Sequence, residues 1–269
     1  MSRIEKRLET LGRAGEKALV AFIVAGDPSL EATAALIPAL DRAGVDILEI
    51  GVPFSDPTAD GVIIQEASQR ALKRGATLPA VLDLVRSARQ RTEIPIVLFG
   101  YYNPVFSFGN EAFAREAGEA GVDGLLVVDL PPEESSELRR YTDPRGLDFI
   151  SLVAPTTPDG RIAWIAGKSS GFLYYISMTG ITGTGKPDPS GVEKDLKRIR
   201  KATRLPVMVG FGISTPGQAA EMASSSDGVV VGSALVRLIH ENRERGDMVE
   251  KACEYASLMK KALSPPKKA

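Results

Sequence analysis

The chain has 269 residues, 43% of them hydrophobic and 25% charged, which excludes a mostly disordered protein and supplies material for a large core. Its 33 Lys and Arg and 34 Asp and Glu leave a net charge of −1, which argues against a protein built to coat nucleic acid or an anionic membrane. One cysteine, Cys253, and one histidine, His240, rule out an intrachain disulfide, a cysteine-rich zinc site and a histidine metal cluster.

Short apolar runs alternate with amphipathic stretches from end to end. A helix is expected near Arg3–Gly15, then a strand over Ala18–Ala25 and a turn at Gly26-Asp27-Pro28-Ser29. Ser29 is placed to cap a helix reaching Ala43. Val45–Gly51 reads as the second strand, followed by a long loop and helical segments, the better formed over Leu78–Arg91. Ile94–Phe99 is the third strand, Phe113–Ala120 a helix and Gly124–Val128 the fourth strand. Pro131-Pro132-Glu133-Glu134 has the composition of a helix start, with proline and acids in the first turn. The remaining strands fall at Phe149–Val153, Phe172–Ile176, Pro206–Gly210 and Gly228–Gly232. Helices separate them at Gly160–Ala166, Val192–Lys201 and Pro216–Ala223, and others follow at Ser233–Asn242 and Met248–Ala262.

Eight continuous apolar strands alternating with helices indicate a parallel sheet covered by helices, and this length suits a closed (β/α)₈ barrel with extra terminal helices. Ala43-Gly44-Val45-Asp46 recurs as Ala120-Gly121-Val122-Asp123, a similarity that turn and strand preferences already account for. No Pro/Ser-rich linker divides the chain, so residues 1–269 read as one domain. No apolar run approaches the roughly 20 residues needed to span a bilayer, and no signal-peptide core follows the Met-Ser-Arg start, so a cytoplasmic location is expected.

In such barrels the active site lies at the carboxyl ends of the strands. Glu49 is an acid within an otherwise apolar strand, sharing a face with Ile47 and Gly51, either toward the lumen or toward the helices. With no basic residue in that strand or the loop after it, burial would raise its pKa toward the range of a general acid/base. The next loop offers Asp56 and Asp60, between which spacing does not choose, and Asp129 follows strand four, equally suited to capping the helix expected at Pro131. Of Tyr174 and Tyr175, one at most can face the lumen. Glycine clusters after strands six, seven and eight (Gly180 to Gly185, Gly210 to Ser214 and Gly232-Ser233) together suggest a cradle of backbone amides for a phosphomonoester.

The run Leu48-Glu49-Ile50-Gly51-Val52-Pro53-Phe54-Ser55-Asp56-Pro57-Thr58-Ala59-Asp60-Gly61 resembles the signature of the tryptophan synthase α subunit family. Phe22 with Gly26-Asp27-Pro28, Gly180-Ile181-Thr182-Gly183, Gly210-Phe211-Gly212-Ile213-Ser214 and Gly232-Ser233-Ala234 fit it in order. The resemblance implies a barrel lyase that splits indole-3-glycerol phosphate into indole and glyceraldehyde 3-phosphate by a retro-aldol reaction. It implies Glu49 as catalytic acid/base, Asp60 as second carboxylate and Tyr174 as active-site tyrosine. It assigns Phe22, Ile64, Phe99, Leu126 and Phe211 to the indole pocket, and Gly183, Gly212, Gly232 and Ser233 to the phosphate cradle.

The resemblance further implies an α₂β₂ complex in which the β subunit carries pyridoxal phosphate and consumes indole, while this chain needs no metal or cofactor. The loops holding Pro53–Asp60 and Thr179–Pro189 would be lids facing that partner, with Asp56 the candidate contact. Three other readings compete: a stand-alone lyase releasing free indole, a sugar-phosphate isomerase or epimerase barrel, and a regulatory subunit that binds phosphate without catalysis. The lone His240 in a late helix counts against an isomerase, and an unpaired buried acid counts against a mere binder.

Overall fold

The computed structural model describes residues 1–177, 189–210 and 212–264. Its strands are β1 (Ala18–Val24), β2 (Ile47–Gly51), β3 (Ile96–Gly100), β4 (Gly124–Val127), β5 (Asp148–Phe149), β6 (Ser151–Val153), β7 (Leu173–Ile176), β8 (Val207–Gly210) and β9 (Gly228–Val231). All pair in parallel in the order β5-β4-β3-β2-β1-β9-β8-β7-β6. The two ends of that order are halves of one expected strand, Phe149–Val153, so the sheet closes on itself into the expected eight-membered barrel. The break coincides with a contact distant in sequence: the Ser170 hydroxyl accepts from Phe149 N at 2.9 Å, where a neighbouring strand would offer a carbonyl.

The helices are α1 (Arg3–Ala14), α2 (Leu30–Arg42), α3 (Val62–Lys73), α4 (Leu78–Ala88), α5 (Tyr102–Phe108), α6 (Asn110–Ala120), α7 (Ser136–Thr142), α8 (Asp159–Lys168), α9 (Pro189–Ala202), α10 (Pro216–Ala223), α11 (Ser233–Glu241) and α12 (Met248–Leu263). Two differ from expectation. Pro131 to Ser135 form a hydrogen-bonded turn, in which the Pro131 carbonyl accepts from both Glu134 and Ser135, and α7 starts only at Ser136. The short α5 was not expected at all, and Asp129 serves it: its carboxylate accepts from Tyr102 N at 2.7 Å. Asp129 thus caps α5 instead of a helix at Pro131.

Alternation along the strands sorts two cores. Val20, Ile47, Val97, Leu126, Ile150, Phe172, Tyr174, Met208 and Val230 fill the barrel interior. Leu19, Ala21, Leu48, Ile50, Leu98, Leu125, Tyr175 and Val209 face the helices. Ile4, Leu8 and Leu11 of α1 join the interior set and close the amino-terminal end of the barrel. A capping box at Ser2 and Glu5 starts this helix.

The repeated Gly-Val-Asp turn has a function in this frame. Asp46 accepts from Leu19 N at 2.7 Å and Asp123 from Ile96 N at 2.8 Å, and Asp227, which follows Ser225-Ser226 instead of Gly-Val, accepts in the same way from Val207 N at 2.7 Å. Each acid therefore pins the start of the preceding strand in the barrel. Arg7 and Lys260 neutralise the buried Asp46, and Arg3 and Arg89 neutralise Asp123.

Candidate active site

Register decides which way Glu49 points. It pairs with Phe22 on one side and Val97 on the other, and it lies between the interior Ile47 and Gly51 while Leu48 and Ile50 pack outward. Glu49 therefore faces the lumen. It is 1% exposed, and its Oε1 has no hydrogen-bond partner among the described residues. Loss of hydration raises its pKa from 4.5 to about 8.

A cavity of about 370 Å³ opens above it at the carboxyl ends of the strands, within the size range of small-molecule sites. Phe22, Ile63, Ile64 and Phe99 form an apolar wall, with the Phe22 and Phe99 rings edge to face at 5.2 Å. Gly51 makes room for this wall: a Cβ there would lie 2.7 Å from the Phe22 ring. Val128, Leu152 and Ile176 complete the apolar lining. Leu126, expected in the same pocket, lies fully buried in the barrel interior and does not reach the cavity.

Asp60 joins Glu49 in this cavity, whereas Asp56 stands exposed, hydrogen-bonded to Ser55. The alternatives left open by spacing are thus separated by position. Burial lifts the Asp60 pKa from 3.8 to about 6, against the opposing effect of a hydrogen bond with Tyr101. Tyr101 was not singled out in the sequence. Its hydroxyl also accepts from Ala59 N at 2.9 Å, and its ring lies 5.1 Å from that of Phe54, so one side chain holds the whole loop.

The two tyrosines of β7 divide as alternation requires. Tyr174 enters the lumen and lines the cavity, its ring lying over Gly210, where any Cβ would collide with it. Burial and the nearby Glu49 carboxyl hold its phenol well above the ordinary pKa, so it stays protonated. Tyr175 faces outward and donates to Asp195 at 2.6 Å.

Opposite the apolar wall the cavity is lined by Gly212, Ile213, Ser214, Gly232, Ser233 and Ala234. Gly212 has φ +78°, a conformation that suits glycine. Gly232 is the N-cap of α11 and provides no side-chain cap, so the first amides of that helix are open toward the cavity. Gln218 braces the neighbouring loop by accepting from Ser214 N at 2.9 Å and Thr215 N at 3.1 Å. Arg237 also lines the cavity. Gly183, Phe211 and the expected lid up to Asp188 lie outside the described residues. Among the described residues no cluster of three or more metal-ligating side chains occurs, and no helix is long and apolar enough to cross a membrane.

The sequence model for the tryptophan synthase alpha chain matches residues 8–264. The chain is 51% identical over 263 residues to the tryptophan synthase alpha chain of Geobacter sp. (strain M21), covering 98% of each. It is 54% identical over 243 residues to that of Geotalea uraniireducens (strain Rf4), covering 90% of this chain and 91% of the relative. Its fold superposes on tryptophan synthase subunit alpha from Legionella pneumophila str. Paris with a TM-score of 0.91 at 40% identity, covering 98% of each chain. It also superposes on a chain of M. tuberculosis tryptophan synthase in its aminoacrylate-bound form, with a TM-score of 0.88 at 31% identity over 98% of this chain and 100% of that one. With a match that spans both the barrel and the residues around its mouth, the chain belongs to the tryptophan synthase alpha chain family.

Proposed function

We propose that this chain cleaves indole-3-glycerol phosphate into indole and D-glyceraldehyde 3-phosphate, with Glu49, Asp60 and Tyr174 carrying the reaction. The observation that carries the reading is the sequestered carboxyl of Glu49, whose Oε1 has no hydrogen-bond partner among the described residues, in a cavity shared with Asp60 and the open amides of α11. At neutral pH a group with pKa about 8 holds its proton and one with pKa about 6 has lost it. One site thereby contains a general acid and a fixed negative charge.

That pairing sets an order of events. The bond between indole C3 and the side chain breaks only when C3 can leave as part of a neutral indole. Glu49 gives its proton to C3, and the positive charge that spreads to the ring nitrogen is stabilised by ionised Asp60. The Glu49 carboxylate then takes the proton of the side-chain hydroxyl as the carbon–carbon bond breaks, the hydroxyl carbon becoming the aldehyde. C3 gains one proton, the hydroxyl loses one, and Glu49 ends as it began. Protonated Tyr174 donates a hydrogen bond to the substrate beside Glu49. Phe22, Ile64 and Phe99 hold the indole ring, with Leu126 supporting from below and Phe211 as a further wall. Gly183, Gly212, Gly232 and Ser233 hold the phosphate.

The scheme draws on no cofactor from this chain. Pyridoxal phosphate belongs to the β subunit that receives indole, in an α₂β₂ assembly in the cytoplasm. The exposed Asp56, on the loop held by Tyr101, is the proposed partner contact. Indole release from indole-3-glycerol phosphate by the purified chain, alone and with a β subunit, is the test. No release in either condition overturns the reading, and release that is indifferent to the β subunit favours a stand-alone lyase.

A further inference from the structure

The cavity contains two carboxyl groups, yet its proposed ligand is a phosphomonoester that is mainly dianionic above pH about 6. Asp60 is ionised over that same range, so entry of the substrate brings like charges together. Amide dipoles at α11 offset part of this repulsion. Among the described lining residues one basic side chain is present, Arg237.

Three features direct Arg237 toward the phosphate. It stands four residues after Ser233 on α11, so the two share a helix face. Helical Cα–Cβ bonds tilt toward the amino terminus, which leans the guanidinium over the turn whose amides line the cavity. The side chain is exposed and has no hydrogen bond or ion pair among the described residues, whereas Arg70, Arg89 and Arg198 are committed to Asp27, Asp123 and Asp195.

We propose that Arg237 is the charge-selecting residue of the phosphate subsite, favouring a dianionic monoester over monoanionic or uncharged substrates and drawing it past Asp60. The proposal rests on the reaction proposed above and adds to it a residue that neither the glycine clusters nor the amide cradle contains. Arg237 acts at the end of the substrate remote from the breaking bond, so its effect falls on binding more than on the chemical step. Because it sits at an open rim, its contribution is moderate and screened by salt.

The test compares wild type, Arg237→Gln and Arg237→Lys with indole-3-glycerol phosphate and with the phosphate-free indole-glycerol. At low ionic strength Arg237→Gln is expected to raise KM for the phosphorylated substrate roughly five-fold, with a smaller change in kcat. The difference shrinks at about 0.5 M salt, Arg237→Lys restores most of the loss, and the phosphate-free substrate does not distinguish the proteins. Equal KM values for wild type and Arg237→Gln at low salt overturn the proposal, as does an equal rise on the phosphate-free substrate. A wild type that releases no indole refutes the reaction instead. In that event titration with inorganic phosphate, followed by NMR, still judges Arg237: weaker binding by Arg237→Gln upholds its role and unchanged binding rejects it.

Discussion

Glu49 makes a prediction about stability that is independent of any substrate. Its carboxyl is 1% exposed, with one oxygen unpartnered among the described residues, and its pKa moves from 4.5 to about 8 on folding. Between those two values the folded chain holds a proton that the unfolded chain has released. Stability from this group is therefore fully present below pH 4.5 and is lost as pH rises toward 8. The slope is about 1.4 kcal/mol per pH unit, which gives a loss of about 3 kcal/mol at pH 7 and about 5 above pH 8. Glu49→Gln keeps the shape and removes the titration. The amide brings a pH-independent term of its own, since a buried donor without a partner costs about 1–3 kcal/mol. The informative quantity is thus the difference between the two stability–pH curves, not either value alone. Urea unfolding from pH 4 to 9 should show the Gln variant gaining on wild type by about 3 kcal/mol between pH 4 and 7, while it loses indole release. Asp60 titrates in both proteins and largely cancels from the difference. Parallel curves would mean that Glu49 is not held protonated, and the acid-first order of the proposed reaction would fall with it.

The two carboxyl groups also set the activity profile. The kcat/KM for indole release should rise through pH about 6 as Asp60 and the substrate phosphate ionise and fall through about 8 as Glu49 loses its proton; Asp60→Asn should make the acidic limb shallower, leaving the part due to the phosphate, and lower the plateau. Tyr175→Phe should cost about 1 kcal/mol of stability, read by urea unfolding, and leave turnover near wild type, whereas Tyr174→Phe should lower kcat roughly ten-fold; similar turnover losses in both would contradict the division of the pair. Asp46→Ala strips a fully buried acid from Arg7, Lys260 and Leu19 N, and should cost about 3 kcal/mol in thermal or urea unfolding, with activity retained at low temperature.

What the sequence reveals and what it hides follow different physics. The barrel is legible because its strands are buried on both faces and its helices on one, so periodicity carries the topology without any knowledge of contacts. The position of Glu49 is legible for a related reason: an acid in a run that otherwise reads as core is an anomaly that burial makes costly. Alternation alone narrows Tyr174 and Tyr175 to one lumen residue, and register fixes which. Asp56 and Asp60 lie four residues apart in an irregular loop, where no period applies; the family resemblance names Asp60, and the three-dimensional hold of Tyr101 on that loop puts it, and not Asp56, at the cavity.

Helix α5 is hidden for a comparable reason. Its start depends on an acid, Asp129, 27 residues further along the chain, so its own composition with Pro104 in the first turn gives little sign of it. The split between β5 and β6 likewise coincides with a distant contact, the Ser170 hydroxyl. Leu126 shows the complementary limit: strand alternation correctly turns it inward, but depth along the barrel axis decides between interior packing and contact with a ligand. Arg237 could have been found, because a basic residue one helical turn after a Gly-Ser helix start is a readable pattern. The repeated Gly-Val-Asp turns mark the opposite end of the barrel from the site. Their acids are spent on strand amides and on Arg and Lys partners, so the same residue type that signals chemistry at the mouth signals construction at the base. The distinction is one of compensation: Asp46 and Asp123 have basic partners within hydrogen-bond reach, while among the described residues Glu49 has no ion pair and its Oε1 no hydrogen bond.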